Sequence, residues 1–200
     1  MTSSHHWESI YGSKATDEMS WAQEHPETSL RLIGSRGDRT AIVDVGAGVA
    51  TLADHLLEAE WSRIILLDLS EAALQVVCCR LADRCGEVEL VTGDVLMFTT
   101  DEPVDVWHDR AVFHFLHGDD RLAYVATAAH AVKTGGHLVI ATFADDGPEQ
   151  CSGLPTSRYS PDDLAAVFAP EFELVTSERE VHVTPWGTEQ PFTWAVLRRT

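Results

Sequence analysis

The chain has 200 residues, of which 44% are hydrophobic and 23% are charged, a composition typical of one folded domain of ordinary size. Lysine and arginine together number 14, aspartate and glutamate number 32, and the formal net charge is −18. Nucleic acids and anionic membrane surfaces require a basic surface that so acidic a chain does not offer, so we expect neither as a partner.

Nothing in the sequence predicts membrane insertion or export. No apolar run reaches the roughly eighteen residues that span a bilayer, and the first residues lack the basic and apolar regions of a signal peptide. The cysteines are Cys78, Cys79, Cys85 and Cys151, and this spacing fits no usual disulfide framework. We therefore expect free thiols and a cytoplasmic protein.

Predicted strands and helices alternate along most of the chain. The β-rich runs that predict strands are residues 41–45, 63–67, 88–91, 104–107 and 138–143. Helical spacing of apolar residues follows the first, second and fourth of these strands, and a fourth helix opens after the fifth. Ser70 and Ser160 are the expected N-caps of two helices, because an acidic first turn follows each of them.

The end of the chain predicts a β-hairpin. Two β-rich runs, 172–183 and 192–198, lie on either side of a turn signal at Pro185–Gly187. Strand–helix alternation followed by a hairpin predicts an α/β sandwich of three layers. Right-handed crossovers would bring its functional loops together at one edge of the sheet.

The first two predicted strands end in residues that suit a nucleotide-containing ligand. The first ends in Asp44 and a turn with Gly46 and Gly48, where bare backbone allows a ligand to approach closely. The second ends at Asp68, whose carboxylate could accept hydrogen bonds from both hydroxyls of a ribose. The dinucleotide fingerprint needs a third glycine where this chain has Thr51, so a dehydrogenase is disfavoured.

Taken together, these segments resemble the class I S-adenosylmethionine-dependent methyltransferases. The resemblance covers about residues 40–143. Its parts are the glycine turn at 46–50, the ribose-binding strand end at 67–70, the acidic position at 93–95, the fourth strand and following segment at 104–114, and the approach to the fifth strand at 132–141.

The resemblance implies a three-layer Rossmann-like sandwich with a mostly parallel seven-stranded sheet and an antiparallel C-terminal hairpin strand. It implies a single domain over 1–200, with an N-terminal helical cap at 1–35 over the cofactor edge and a core at 36–200. It also implies S-adenosylmethionine as cofactor and a small-molecule substrate, in a monomer or homodimer.

Twelve residues receive a donor-binding role from the resemblance. They are Tyr11, Trp21, Asp44, Gly46, Ala47, Gly48, Asp68, Leu69, Gly93, Asp94, Val95 and His108. Simpler interpretations remain open for some of them. Asp44 could merely orient its turn, Asp94 could cap a loop, and Tyr11 could bury one face of a helix together with Trp7.

The segment after the fourth strand supplies the catalytic candidates. Asp109 could receive the donor's amino group, Arg110 could bind a substrate carboxylate in a bidentate manner, and His114 could act as a general base. The alternatives are a structural ion pair between Asp109 and Arg110 and a satisfied buried imidazole at His114. A metal site is not expected, because His114-x-x-His117 lacks a second pair of ligands.

Residues 145–159 form a connection that is long for an α/β protein, and long loops at a ligand edge are often functional. Cys151, Arg158 and Tyr159 in this loop are therefore candidate contacts of the methyl acceptor, with an inert thiol as the alternative for Cys151.

Three functions remain open at this stage. The leading hypothesis is a methyltransferase acting on a small molecule. A protein methyltransferase that modifies lysine on a basic partner is the first alternative, and a non-catalytic nucleotide-binding module is the second. Nucleic-acid methyltransferases of this fold commonly carry an Asn/Asp-Pro-Pro-Tyr/Phe segment after the fourth strand, where this chain has residues 108–111 reading His-Asp-Arg-Ala.

Overall fold

The computed structural model describes residues 4–13, 18–34, 36 and 39–200. Its helices are α1 (Ser4–Ser13), α2 (Glu27–Gly34), α3 (Leu52–Glu58), α4 (Glu71–Leu81), α5 (Asp119–Ala131) and α6 (Pro161–Phe168). Its strands are β1 (Ala41–Val45), β2 (Arg63–Asp68), β3 (Glu89–Thr92), β4 (Val104–Arg110), β5 (Val132–Phe143), β6 (Gln150–Cys151), β7 (Leu154–Pro155), β8 (Phe172–Val183) and β9 (Glu189–Arg199).

Seven of the strands form one sheet in the order β3-β2-β1-β4-β5-β9-β8. The first five strands in chain order run parallel, β9 is antiparallel to β5, and β8 is antiparallel to β9. Strands β6 and β7 form a separate small hairpin. The predicted fold class is confirmed. The strand order reverses between β1 and β4, and the loops that follow these two strands diverge and leave a crevice.

Apolar side chains fill both faces of the sheet. On one face, α5 and α6 pack around Trp107, Phe113 and Tyr124, and on the other face α2, α3 and α4 pack around Trp61 and Trp194. Strands buried on both faces are expected to be continuously apolar, and β1 and β2 are almost entirely buried. Polar side chains on β1, β2 and β4 are therefore exceptions that require partners.

The two predicted N-caps are confirmed. The Ser70 hydroxyl accepts a hydrogen bond from the backbone N–H of Ala73 at 3.1 Å. Ser160 and Asp163 form a capping box, with each side chain accepting from the backbone of the other residue. These caps fix the starts of α4 and α6 where the sequence places them.

The expectation of free thiols is wrong for two of the four cysteines. Helix α4 ends at Leu81, and a 3-10 turn over Ala82–Glu87 returns the chain so that Cys78 and Cys85 form a disulfide, with Cα atoms 4.9 Å apart. Cys79 and Cys151 are free. The return of the chain after α4 is what the spacing alone does not disclose.

Residues 18–34 and α1 supply the described part of the predicted N-terminal cap; residues 1–3, 14–17 and 35 of it lie outside the described residues. The cap is attached to the hairpin strands, because the His182 Nε2–H donates to the Ser20 carbonyl at 2.7 Å. Across the parts of the chain that are described, no helix is long and apolar enough to cross a membrane.

Candidate active site

A cavity lies at the carboxyl ends of the parallel strands, at the reversal of strand order. One end is formed by the ends of β2 and β3, and the other by β4, β5, the β6 hairpin and β9. Three strand spacings of about 4.8 Å separate β2 from β5, so the cavity spans roughly 14 Å across the sheet. Its lining residues include Trp7, Tyr11, Trp21, Gly46, Asp68, Leu69, Gly93, Asp94, Val95, Arg110, Phe115, Phe143, Cys151, Gln190 and Phe192.

The glycine turn after β1 has a backbone that a side chain would disturb. Gly46 has φ +64° and a Cβ atom there would overlap Val112, while Gly48 has φ +52° and a Cβ would lie 2.5 Å from the Tyr11 hydroxyl. Both positions are in the left-handed region that favours glycine. Gly46 lines the cavity, whereas Ala47 faces a second, smaller cavity and Gly48 lies beneath Tyr11.

Asp68 ends β2 and presents a buried carboxylate on the cavity wall. It accepts hydrogen bonds from the backbone N–H groups of Gly48 and Ser70, each at 2.8 Å. Burial raises its pKa to about 6, with smaller contributions from the negative charges of Asp44 and Glu8. Each carboxylate oxygen keeps a lone pair for a further donor, so the group can accept two hydroxyls from a ligand.

Gly93, Asp94 and Val95 line the same end of the cavity beside Leu69. The Asp94 side chain accepts from the Leu96 N–H at 2.9 Å and thereby caps a 3-10 turn at Val95–Met97. Asp94 thus combines the two roles that the sequence leaves as alternatives, because it caps the loop and also lies on the cavity wall.

Asp44 and His108 face the second cavity, on the far side of the glycine turn. The Nδ1 atom of His108 lies 2.7 Å from the Asp44 carboxylate, and its Nε2 atom lies 3.0 Å from the Ser29 hydroxyl. All three side chains are buried. Both ring nitrogens of His108 are therefore engaged within the protein, and His108 is not among the residues that line the first cavity.

Asp109 points into the core instead of the cavity. Its carboxylate accepts from the backbone N–H of Val112 at 2.8 Å, from that of Phe113 at 3.1 Å, and from the Tyr124 hydroxyl. Burial raises its pKa to about 6, and the Tyr124 bond opposes that rise. Asp109 therefore holds the turn that follows β4, and the structure does not bring it to the cavity. The alternative ion pair with Arg110 is not formed either, because adjacent strand residues face opposite sides.

His114 is a buried imidazole packed between the rings of Phe115 and Phe143, at centroid distances of 4.5 and 4.7 Å. Its Nδ1 atom accepts from the Phe143 N–H at 3.3 Å. Burial, together with the nearby charge of Arg110, lowers its pKa to about 3, so the ring is neutral at physiological pH. It is not among the cavity-lining residues, and its Nε2 atom has no hydrogen-bond partner among the described residues.

Arg110 reaches the far end of the cavity and lines both cavities. Its guanidinium donates one bond, from Nη1 to the Trp21 carbonyl at 3.2 Å, and its Cζ atom lies 4.8 Å from the centre of the Phe192 ring. Its Nε and Nη2 atoms have no hydrogen-bond partner among the described residues. Burial lowers the pKa of this guanidinium from its usual value.

Aromatic side chains of the N-terminal segment close the cavity. The Trp7 ring contacts Tyr11, Trp21 and Phe115, with centroids 5.5 to 6.2 Å apart, and Tyr11 also contacts Trp21. All four rings line the cavity. Burial raises the pKa of the Tyr11 hydroxyl well above its usual value, so this group stays protonated.

Of the three acceptor contacts predicted in the loop after β5, only Cys151 lines the cavity. Arg158 pairs with Glu149 at 3.3 Å and donates to the Gly147 carbonyl. Tyr159 is buried against Phe113, with ring centroids 5.4 Å apart. The structure does not bring Arg158 and Tyr159 to the cavity, because the loop turns the first side chain onto itself and the second into the core.

Several residues on the hairpin side of the cavity are not among the site residues predicted from the sequence, chiefly Phe143, Gln190 and Phe192. Phe143 of β5 and Phe192 of β9 are partners in the antiparallel register, with ring centroids 5.0 Å apart. Both residues lie in runs that the sequence predicts as strands, but the register that brings them together is not visible there. In the described ranges, no group of three histidine, cysteine, aspartate or glutamate side chains is arranged to hold a metal ion.

Comparisons with known proteins find that the chain is similar to methyltransferases. A family model described as a methyltransferase domain matches residues 42–136. No curated protein sequence matches the chain significantly.

Solved structures of similar fold cover nearly the whole chain. One, described for the conversion of a disulfide bond into a thioacetal group during echinomycin biosynthesis, has a TM-score of 0.79 at 21% identity, covering 98% of this chain and 92% of its own. The N-methyltransferase NodS from Bradyrhizobium japonicum, in complex with S-adenosylhomocysteine, has a TM-score of 0.75 at 16% identity, with coverage of 97% and 98%.

A third similar structure is the 1,6-didemethyltoxoflavin-N1-methyltransferase from Burkholderia thailandensis, with that compound and S-adenosylhomocysteine bound. It has a TM-score of 0.73 at 22% identity, covering 98% of this chain and 83% of its own. Identities this low establish a shared fold.

Proposed function

We propose that this chain is a class I S-adenosylmethionine-dependent methyltransferase and that it transfers the methyl group of its donor to a small-molecule acceptor. The observation that carries the proposal is one continuous cavity with two chemically different ends. The end at β2 and β3 presents the Asp68 and Asp94 carboxyl groups, and the end at β4, β5 and β9 presents Arg110 among aromatic rings.

The residues at the β2 end fit the donor. The buried Asp68 carboxylate has acceptor capacity for the two ribose hydroxyls, and Leu69, Asp94 and Val95 would surround the base. Gly46 lines the turn with bare backbone, against which the donor would lie. When bound, the donor supplies an electrophilic methyl group carried on a positively charged sulfur atom.

The described residues at the other end position the acceptor without removing a proton from it. The ionisable side chains lining that end in the described ranges are Arg110 and Cys151. Burial raises the pKa of the Cys151 thiol, so it stays protonated, and the neutral His114 lies behind the wall. The chain would therefore act by orienting an acceptor that is already nucleophilic and by excluding water with Trp7, Tyr11 and Trp21.

The closure of the cavity favours a small acceptor over a lysine side chain of a protein. The rings of α1 and Trp21 line the cavity on one side, and Phe115 contacts Trp7 from the segment after β4. A peptide segment would have to displace this cover, whereas a small molecule can be enclosed beneath it.

The first experiment measures binding of S-adenosylhomocysteine by calorimetry to the wild type, to Asp68→Asn and to Asp83→Asn. Asp83 is exposed on the 3-10 turn after α4 and serves as the matched control. The Asp68 variant has no charged carboxylate to accept hydrogen bonds from the ribose hydroxyls. We therefore expect it to bind S-adenosylhomocysteine at least about tenfold more weakly than the wild type. Unchanged affinity of that variant would contradict the proposed donor site.

The second experiment incubates the protein with radiolabelled donor and cell extract and separates the products by size. Label in the small-molecule fraction is expected. Label confined to the protein fraction would overturn the proposed acceptor class and favour a protein methyltransferase.

A further inference from the structure

The guanidinium of Arg110 is buried and is only partly satisfied by the described residues. It gives one hydrogen bond to the Trp21 carbonyl, and its Nε and Nη2 atoms have no partner there. The carboxylate with the largest attraction for it is Glu180, whose oxygens accept from Trp194 at 2.6 Å and Gln23 at 3.4 Å and receive no bond from Arg110. Burying an ionised group without a bonded counter-charge is strongly unfavourable.

The two unpartnered nitrogens lie side by side on one edge of the guanidinium. Nε–H and the Nη2 amino group form the parallel pair of donors that binds a carboxylate through both of its oxygens. Neutral acceptors such as hydroxyls or amides would leave one of these donors, or the charge itself, uncompensated. The missing partner is therefore an anion with two oxygens.

The walls around Arg110 are flat and apolar. The guanidinium stacks over Phe192, whose ring contacts Phe143, and the cover above contributes Trp21. Such walls favour a planar hydrocarbon body, with Gln190 and Cys151 as the small polar contribution at this end.

We propose that the methyl acceptor is a small, flat molecule that carries a carboxylate, and that Arg110 binds this carboxylate through Nε and Nη2 above the Phe192 ring. This inference rests on the proposed function, because it specifies the acceptor for the same cavity. The donor also has a carboxylate, on its amino-acid part, and the test must separate these two sources.

The test uses calorimetry on full-length protein saturated with S-adenosylhomocysteine. The probes are benzoate and 2-naphthoate, each compared with its uncharged amide. In the wild type each acid is expected to bind at least about tenfold more tightly than its amide, the effect of hydrogen bonds to a charged group. Failure of S-adenosylhomocysteine itself to bind would refute the proposed function, and it would be seen before any acid is added.

Three variants assign the effect. Arg110→Met is expected to remove the preference for acids and to leave amide binding within about twofold, whereas Arg110→Lys keeps part of the preference because it keeps the charge without the paired donors. Arg179→Met removes an exposed arginine that pairs with Asp146 and is the matched control. It is expected to bind acids and amides as the wild type does.

A stability measurement separates a ligand-binding role from a structural one. Removing a buried charge without a bonded partner should leave the Tm of Arg110→Met equal to or above that of the wild type. A lower Tm together with a retained preference for acids would overturn the inference. Equal affinities of acids and amides in the wild type, or no binding by any of the four probes, would also overturn it.

The donor is tested as the source by comparing S-adenosylhomocysteine with 5′-methylthioadenosine, which lacks the amino-acid part. If Arg110 serves the acceptor, Arg110→Met binds both compounds with wild-type affinity. A selective loss of S-adenosylhomocysteine affinity would assign the carboxylate to the donor and overturn the inference.

Discussion

Asp68 combines deep burial with a position on the cavity wall, so its protonation is expected to control donor binding. Its pKa of about 6 reflects burial first, with Asp44 and Glu8 adding to the rise and the Ser70 and Gly48 amides opposing it. The ionised form accepts ribose hydroxyls, and it is lost as the pH falls through this pKa.

The affinity of the wild type for S-adenosylhomocysteine should accordingly be constant above pH 7 and fall about tenfold per pH unit below about pH 6. Calorimetry between pH 5 and pH 8 measures it. Asp68→Asn, which has no charge to lose, should bind weakly and without this dependence. A wild-type affinity that is equal at pH 5 and pH 7 would refute the assignment of Asp68.

We expect the Tyr124 hydroxyl to contribute strongly to the free energy of unfolding. It donates to the buried Asp109 carboxylate and accepts from the Trp107 Nε1–H at 2.9 Å. Tyr124→Phe removes a donor from a buried charge and should lower the free energy of unfolding by about 1–3 kcal/mol. Denaturant unfolding measures this. Tyr159→Phe is the control: that hydroxyl is also buried but donates to no carboxylate, and a change under about 1 kcal/mol is expected. Equal losses in the two variants would contradict the role given to Asp109.

The contrast between Asp68 and Asp109 shows which residues the sequence could place. A residue that ends a parallel strand next to a glycine turn must lie at the ligand edge, and so Asp68, Asp94 and Gly46 were predicted on the cavity wall. Along β4, side chains alternate between two buried faces. Choosing Arg110 over Asp109 for the cavity requires knowing that Tyr124 of α5 lies on one face and Phe192 of β9 on the other.

Helix α1 depends on the glycine turn of a distant strand, because the Tyr11 hydroxyl occupies the space above Gly48. Gly48→Ala should therefore displace Tyr11 in addition to straining a backbone with φ +52°. Gly118→Ala is the matched control, since Gly118 has φ +55° and open space where its Cβ would be. The control measures backbone strain alone, about 1–2 kcal/mol.

We expect Gly48→Ala to lose more stability than Gly118→Ala and to change the emission of Trp7 and Trp21, which pack on Tyr11. The double variant Gly48→Ala, Tyr11→Phe removes the hydroxyl that the new Cβ meets and should recover part of the difference. Fluorescence-monitored unfolding in denaturant measures both effects. Identical behaviour of the Gly48 and Gly118 variants would show that α1 does not rest on this turn.

The start of a helix can be predicted from the sequence where a capping residue determines it. The start of a strand cannot be predicted where its pairing with a neighbouring strand determines it. Ser70 and Ser160 start helices as expected, but Gly135 and Gly136, a pair typical of the end of a helix, lie inside β5. Val104 of β4 pairs with Val132 of β5, but Val106 pairs with His137, so the register shifts between these two pairs. The two glycines lie within this irregular part of β5. Local sequence does not contain the partner strand that makes this extension favourable.

At the scale of the whole molecule, the order of strands and helices was predictable because alternation leaves few topologies, and the reversal between β1 and β4 locates the crevice. The volume and closure of the cavity were not, because they arise from rings on α1, β5 and β9 that meet only after the chain has folded. The sequence thus locates the edge of the sheet, and long-range packing determines what fits there.

The net charge of −18 predicts how stability depends on salt. Surplus negative charge repels itself in the folded state more than in the expanded chain, and added salt screens this repulsion. The ion pairs that salt would weaken include Arg63–Glu89, Arg84–Glu87 and Arg198–Glu173, in which most of the side chains are substantially exposed, and such pairs each contribute little. Repulsion should therefore dominate, and the Tm should rise by a few degrees between low and moderate sodium chloride.

Thermal unfolding followed by circular dichroism at constant pH measures this dependence. Sucrose at matched osmolality is the control, because it does not screen charge, and its curve defines the part of the shift that is unrelated to electrostatics. A Tm that falls with sodium chloride would mean that the surface ion pairs outweigh the repulsion. In that case the surface carboxylates outside the cavity would form a network of ion pairs that stabilises the folded protein.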